Sequence, residues 1–150
     1  MTYVLIIFVI ALALAPLSHF VPSKRQREVA RMREYAAVNG MFVEFRDLPG
    51  GDRLALRRGQ SGQIIYYGKR LRPRRGEPPK SASFAPDSEG WRSMGRRCEA
   101  PLELTELPEG ILAAGVDGGS CGVYWQERGG EEQVERIRAV LERWSEALSA

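Results

Sequence analysis

Few side chains in this chain could do chemistry, and their types and spacing exclude most reactions. His19 is the only histidine, and it lies at the edge of a long apolar run. A tolerated interfacial residue is the ordinary role for a histidine there. His-based triads and clustered His metal sites therefore have no members in the rest of the chain. Cys98 and Cys121 stand far apart, with no CxxC pair. Cys98 follows Arg96 and Arg97, whose charge would lower a thiol pKa. Cys121 alternates with Val123 and Trp125, the pattern of a buried structural thiol. Glu99, Glu103, Glu106 and Glu109 fall in a Pro-punctuated stretch that reads as a solvated acidic segment. Asp117-Gly118-Gly119 and Gly129-Gly130 match no phosphate-loop spacing and read as turns. No catalytic, metal-binding or cofactor-binding residue is nominated, and no cofactor is expected.

Basic residues offer the one binding chemistry. Residues 22–75 hold 14 Lys/Arg against 5 Asp/Glu, a balance of +9; residues 76–150 hold 8 against 14, a balance of −6. Lys24, Arg25 and Arg27 form one cluster, and Lys69, Arg70, Arg72, Arg74 and Arg75 a second. Both are candidates for contact with anionic lipid headgroups, at about 1 kcal/mol per basic residue near the surface. The competing reading is topogenic charge on a solvated face, or pairing with the acidic half. Nucleic acid is a poorer fit, because basic residues alone are weak evidence without a binding module.

The element that would place the first cluster is the uncharged run at residues 2–21. Twenty helical residues span about 30 Å, the thickness of a hydrocarbon core. Ten of its Val, Leu, Ile and Phe residues, those from Val4 to Leu17, favour insertion by roughly 3–6 kcal/mol. A cleaved signal peptide fits less well. No basic region precedes Tyr3, and Pro16 would follow the Ala13-Leu14-Ala15 cut. The basic flank at Lys24, Arg25, Arg27, Arg31 and Arg33 predicts a C-terminal domain in the cytosol. Two cysteines suit that reducing compartment, although a disulfide between them stays open.

Ser23 with Gln26 forms a capping-box pattern, so a helix is predicted over 24–38, stopped by Asn39-Gly40. Val29, Met32 and Ala36 give it a narrow apolar stripe, which suits a helix lying on the domain or on a partner. Strands are predicted at 41–46, with Met41, Val43 and Phe45 on one face, at 53–57 and at 63–67, in a meander. Residues 72–90 read as a Pro-rich loop. Trp91 is an anchor candidate. Residues 111–116 and 121–126 read as a hairpin about Asp117-Gly118-Gly119-Ser120. Residues 131–148 form an amphipathic helix with Val134, Ile137, Leu141, Trp144 and Leu148 at steps of three and four.

Pro22, Lys24-Arg25, Met32, Gly40 and Val43 follow the span in an order that resembles the YajC-type accessory subunit of the bacterial preprotein translocase. The resemblance covers the span and about 25 residues beyond it. After Gly40 the family's Thr-x-Gly-Gly gives way to Met41-Phe42-Val43-Glu44-Phe45. It implies a translocase accessory role. The expected fold is α+β: a single N-terminal transmembrane helix (1–21), a basic juxtamembrane helix (22–39), and a small antiparallel sheet packed by a C-terminal amphipathic helix (40–150). The expected function is a non-enzymatic accessory or adaptor protein at the cytosolic face of a bacterial inner membrane, with an unidentified membrane-protein partner. The alternatives are the translocase subunit and an enzyme with an unrecognised site.

Overall fold

A computed structural model describes residues 1–51, 63–73, 75–95 and 97–150, with the side chains of Ser18 and His19 left out. Helix α1 (Thr2–Leu14) runs into a 3-10 helix (Ala15–Phe20). Helix α2 (Lys24–Val38), strands β1 (Phe42–Glu44), β2 (Ile65–Arg70), β3 (Ala82–Asp87) and β4 (Gly90–Ser93), and a 3-10 turn (Leu102–Glu106) follow. Strands β5 (Ala113–Val116) and β6 (Ser120–Trp125) then lead to helix α3 (Gly130–Ser149). The sheet is antiparallel throughout, in the order β1-β2-β6-β5-β3-β4.

The expected single helix over the apolar run is instead two helical pieces. Pro16 has no N–H to give an α-helical bond, and its ring crowds the turn before it. The α pitch accordingly stops at Leu14, and Pro16 sits at the start of the 3-10 segment. Among the described residues, no helix is by itself long and apolar enough to cross a membrane. No residue of α1 is buried; Ile6, among its large apolar side chains the most covered, is 47% exposed.

The capping box of α2 forms as its sequence predicts. Ser23 Oγ accepts from the Gln26 N–H at 3.1 Å, and Gln26 Oε1 accepts from the Ser23 N–H at 2.8 Å. At the other end Gly40 takes φ +77°. The Met41 N–H reaches the Ala36 carbonyl and the Gly40 N–H the Ala37 carbonyl, which is the Schellman pattern. Met32 and Ala36 are fully buried in the main core. The helix thus belongs to the same packing unit as the sheet, and Gly40 does not separate two cores.

One sheet face carries Ile65, Tyr67, Cys121, Val123 and Trp125 against Val134, Ile137, Leu141 and Trp144 of α3. The alternation read for β6 and the stripe read for α3 meet there. The opposite face of β6 is also covered: Tyr66, Tyr124, Leu112, Ala113 and Leu48 form a second cluster. Gly122 makes that possible, because a Cβ there would collide with the Tyr66 ring and the Tyr67 carbonyl.

Three expectations change. Residues 82–93, read as the end of the Pro-rich loop and the anchor candidate Trp91, form the β3–β4 hairpin. Pro86 is tolerated because the β3–β5 pairing ends at Phe84, beyond which a missing N–H breaks no ladder on that side. Trp91 does pack on the core from β4. Strand β1 stops at Glu44, so Phe45 leaves the face of Met41 and Val43 and is 67% exposed. Strand β1 pairs directly with β2; the strand read at 53–57 lies outside the described residues.

Candidate functional site

The two basic clusters do not come together. Lys24, Arg25 and Arg27 occupy the first turn of α2 and are exposed. The Arg25 guanidinium donates to the Gln126 carbonyl at 3.0 Å and pairs with Glu28 at 3.4 Å. Arg27 Nε donates to the Pro22 carbonyl at 3.2 Å. Gln126 directly follows Trp125, which pairs with Ile65 at the start of β2. Lys69 and Arg70 lie at the other end of β2. Six strand residues set the two ends about 17 Å apart.

The second cluster is partly neutralised within the domain. Lys69 Nζ lies 2.5 Å from Glu142 of α3, which also accepts from Arg138. The Lys69 hydrogen bond holds the Glu142 carboxyl below its ordinary pKa. Arg70 stacks its guanidinium over the Phe42 ring, 5.4 Å from the centroid. Arg72 and Arg75 are exposed, and Arg74 lies outside the described residues.

The first cluster borders an open groove of about 660 Å³ between α2 and the β6–α3 junction. Its inner wall is an ion pair in which the carboxylate is buried and the guanidinium half-buried. Glu127, 4% exposed, accepts from Arg33 Nε at 2.7 Å and Arg33 Nη2 at 2.8 Å, and from the Tyr67 hydroxyl at 2.8 Å. The bidentate fork raises the Arg33 pKa, and burial first, then the Glu127 charge, pushes up the Tyr67 hydroxyl. Glu127 holds φ +53°, the one left-handed non-glycine among the described residues. Such a backbone costs of order 1–3 kcal/mol and persists only where its surroundings enforce it. Here the Arg33 fork and the Tyr67 hydroxyl do so.

Beside it, Gln126 is 8% exposed, and its amide nitrogen is buried without a hydrogen-bond partner among the described residues. Arg128 projects from the same segment and is exposed. A smaller hollow on the neighbouring side of α2 is lined by Lys24, Arg27, Glu28, Arg31, Gly130 and Glu131. The groove was not legible in the sequence. Residues 126–130 read there only as the end of a strand and a Gly-Gly turn, and the arginines that face them are about a hundred positions away.

The remaining chemical candidates are scattered. Cys98 and Cys121 are both free thiols. Cys121 is buried as expected, and burial pushes its thiol up to about 12, which leaves it protonated and inert. Cys98 is exposed, with Ser93 Oγ 3.2 Å from its sulfur. Glu106 meets Arg143 through two hydrogen bonds of 2.8 and 2.6 Å on the surface. Among the described residues, no group of three or more His, Cys, Asp or Glu could hold a metal ion. No family model, curated protein or solved structure matches the chain.

Proposed function

We propose that this is a single-pass membrane-anchored accessory protein, whose sheet-and-helix domain works at the cytosolic face of a bacterial-type inner membrane. One observation carries the reading: residues 2–20 are helical, uncharged and mostly apolar, and no side chain of α1 is buried by the rest of the chain. Thirteen α-helical residues at about 1.5 Å and six 3-10 residues at about 2 Å give roughly 32 Å of continuous helical rise. That matches a hydrocarbon core of about 30 Å. An apolar surface of this size left uncovered is characteristic of a lipid or protein contact. The basic first turn of α2 gives the orientation.

The role is assigned as binding rather than catalysis because the described ionisable side chains are mostly structural ion pairs or open surface, and no nucleophile stands beside a base. The translocase-subunit alternative belongs to the same class and rests on Pro22, Lys24-Arg25, Met32, Gly40 and Val43. Topology mapping with an engineered cysteine after Ala150 tests the anchor. Labelling only after the cells are opened is expected. Labelling from outside, or release of the chain from membranes by alkaline carbonate, overturns the reading. Crosslinking in native membranes then identifies the partner and separates the translocase from other assemblies.

A further inference from the structure

We infer that the groove between α2 and the β6–α3 junction holds the phosphate of an anionic phospholipid headgroup. The inference rests on the anchored reading above and adds a ligand site to it. Three arginines, Arg25, Arg33 and Arg128, face one carboxylate, Glu127, so the lining carries a balance of +2. Their duties differ. Arg33 gives its Nε and Nη2 donors to both Glu127 oxygens and serves as a fixed wall. The Arg25 side chain remains 48% exposed, with one hydrogen bond to a carbonyl and a long one to Glu28. Arg128 forms no ion pair among the described residues and is free to close over a ligand.

The Gln126 amide is the second, independent sign. A buried donor without an acceptor is destabilising by about 1–3 kcal/mol and is rare in folded proteins. Besides Gln126, the polar lining of the groove is three arginines, the amides of Gln26 and Gln63, and one carboxylate, Glu127, which Arg33 and Tyr67 already hold. A phosphate oxygen is the acceptor that would satisfy the amide and the two available guanidinium groups together. Val29 and Ala30 supply an apolar wall beside them, suited to the glycerol and first methylenes of a lipid.

Position selects the lipid over a free anion. Arg25 lies five residues after Phe20, where the apolar helical segment ends. Five residues reach at most about 17 Å, so the groove stays within the headgroup layer and its immediate surroundings. A free phosphate would need no such placement.

The test uses the full chain in neutral maltoside micelles, with the Gln126 side-chain amide resonances as the readout. The probes are dihexanoyl phosphatidylglycerol, dihexanoyl phosphatidylcholine and inorganic phosphate. Phosphatidylglycerol should shift the Gln126 amide saturably, phosphatidylcholine should leave it in place, and inorganic phosphate should bind about tenfold more weakly or worse. Combining Arg25→Gln with Arg128→Gln should weaken phosphatidylglycerol binding by about tenfold or more, with Tm unchanged. Gln126→Met, read by calorimetry, should also weaken it, with Tm held or raised because an unpaired buried donor is removed. Equal shifts with phosphatidylcholine, or no shift with either anion, overturn the anion site. Phosphate binding as tight as phosphatidylglycerol overturns the lipid assignment. The anchored reading fails separately, in the topology experiment.

Discussion

Helices α1 and α3 are both rich in Leu, Ile and Val, and the protein uses them in opposite ways. Helix α3 concentrates its apolar residues on one stripe, and Val134, Ile137, Val140, Leu141 and Trp144 are all at most 2% exposed. Helix α1 is apolar all round and buries nothing. A stripe can be covered by one sheet face, whereas a fully apolar cylinder has no side on which this domain could cover it without exposing the other. The contrast separates a helix made for its own core from one made for a different surrounding.

The sharpest way to break that contrast is to truncate one side chain in each helix. Trp144→Ala should destabilise the full chain in mild detergent by roughly 3–5 kcal/mol, the range for a buried aromatic. Phe8→Ala should leave the domain within about 0.5 kcal/mol. Denaturant melts followed by near-ultraviolet circular dichroism report both. Equal losses would place α1 in the core.

Helix α2 stands between the two cases, since only Met32 and Ala36 are buried. Met32→Ala should cost about 2–4 kcal/mol if α2 is part of the core. A loss under about 0.5 kcal/mol would make α2 an appendage, and the shorter unit after Gly40 would then fold alone.

A smaller effect is expected where α3 turns its polar side to the sheet. Lys69→Gln removes one of the two partners of Glu142 and should cost about 0.5–1 kcal/mol, whereas Arg27→Gln on the open first turn of α2 should be near zero. A chemical melt of the two variants side by side decides. Equal values would show that the Lys69 pair is mere surface charge.

The smallest effect is a pH dependence. Two hydrogen-bond donors, Arg138 first and then the Tyr35 hydroxyl, hold the Glu135 carboxyl down to about 2. A carboxylate lowered by folding makes the unfolded chain bind more protons, so stability rises with pH. The contribution is present above about pH 4.5, the ordinary carboxylate range, and is lost as pH falls toward 2. Glu135→Gln should flatten that part of a Tm-against-pH curve. An unchanged slope would mean that the α2–α3 polar contact carries no linkage.

The sequence carried the local parts of this fold and not the distant ones. The cap at Ser23, the stop at Gly40, the hairpin about Asp117 and the α3 stripe each depend on residues a few positions apart. Composition hid the β3–β4 hairpin, because Pro86 and the surrounding Ser and Gly residues resemble a loop until the edge position of the proline is known. The candidate groove was hidden for a different reason. Gln126 and Glu127 acquire their meaning from Arg25 and Arg33 across the fold, and nothing adjacent to Glu127 announces its left-handed backbone. Charge counting found Lys69 and Arg70 but not that one would be held by Glu142 and the other by Phe42.

The connection between Phe20 and Lys24 is three residues long, one of them Pro22. Such a tether extends at most about 10 Å. Helix α2 is in turn fixed to the core by Met32 and Ala36, so no slack is gained beyond Ser23. A folded unit of about 130 residues has a radius of gyration near 14 Å. In a bilayer, the working radius of this domain would therefore be about its own diameter. It could not sweep the cytoplasm for a ligand or reach over a tall assembly. On the anchored reading, any partner would have to bring its own surface down to the membrane plane, and lengthening the tether with a flexible insert after Val21 would trade that enforced proximity for reach.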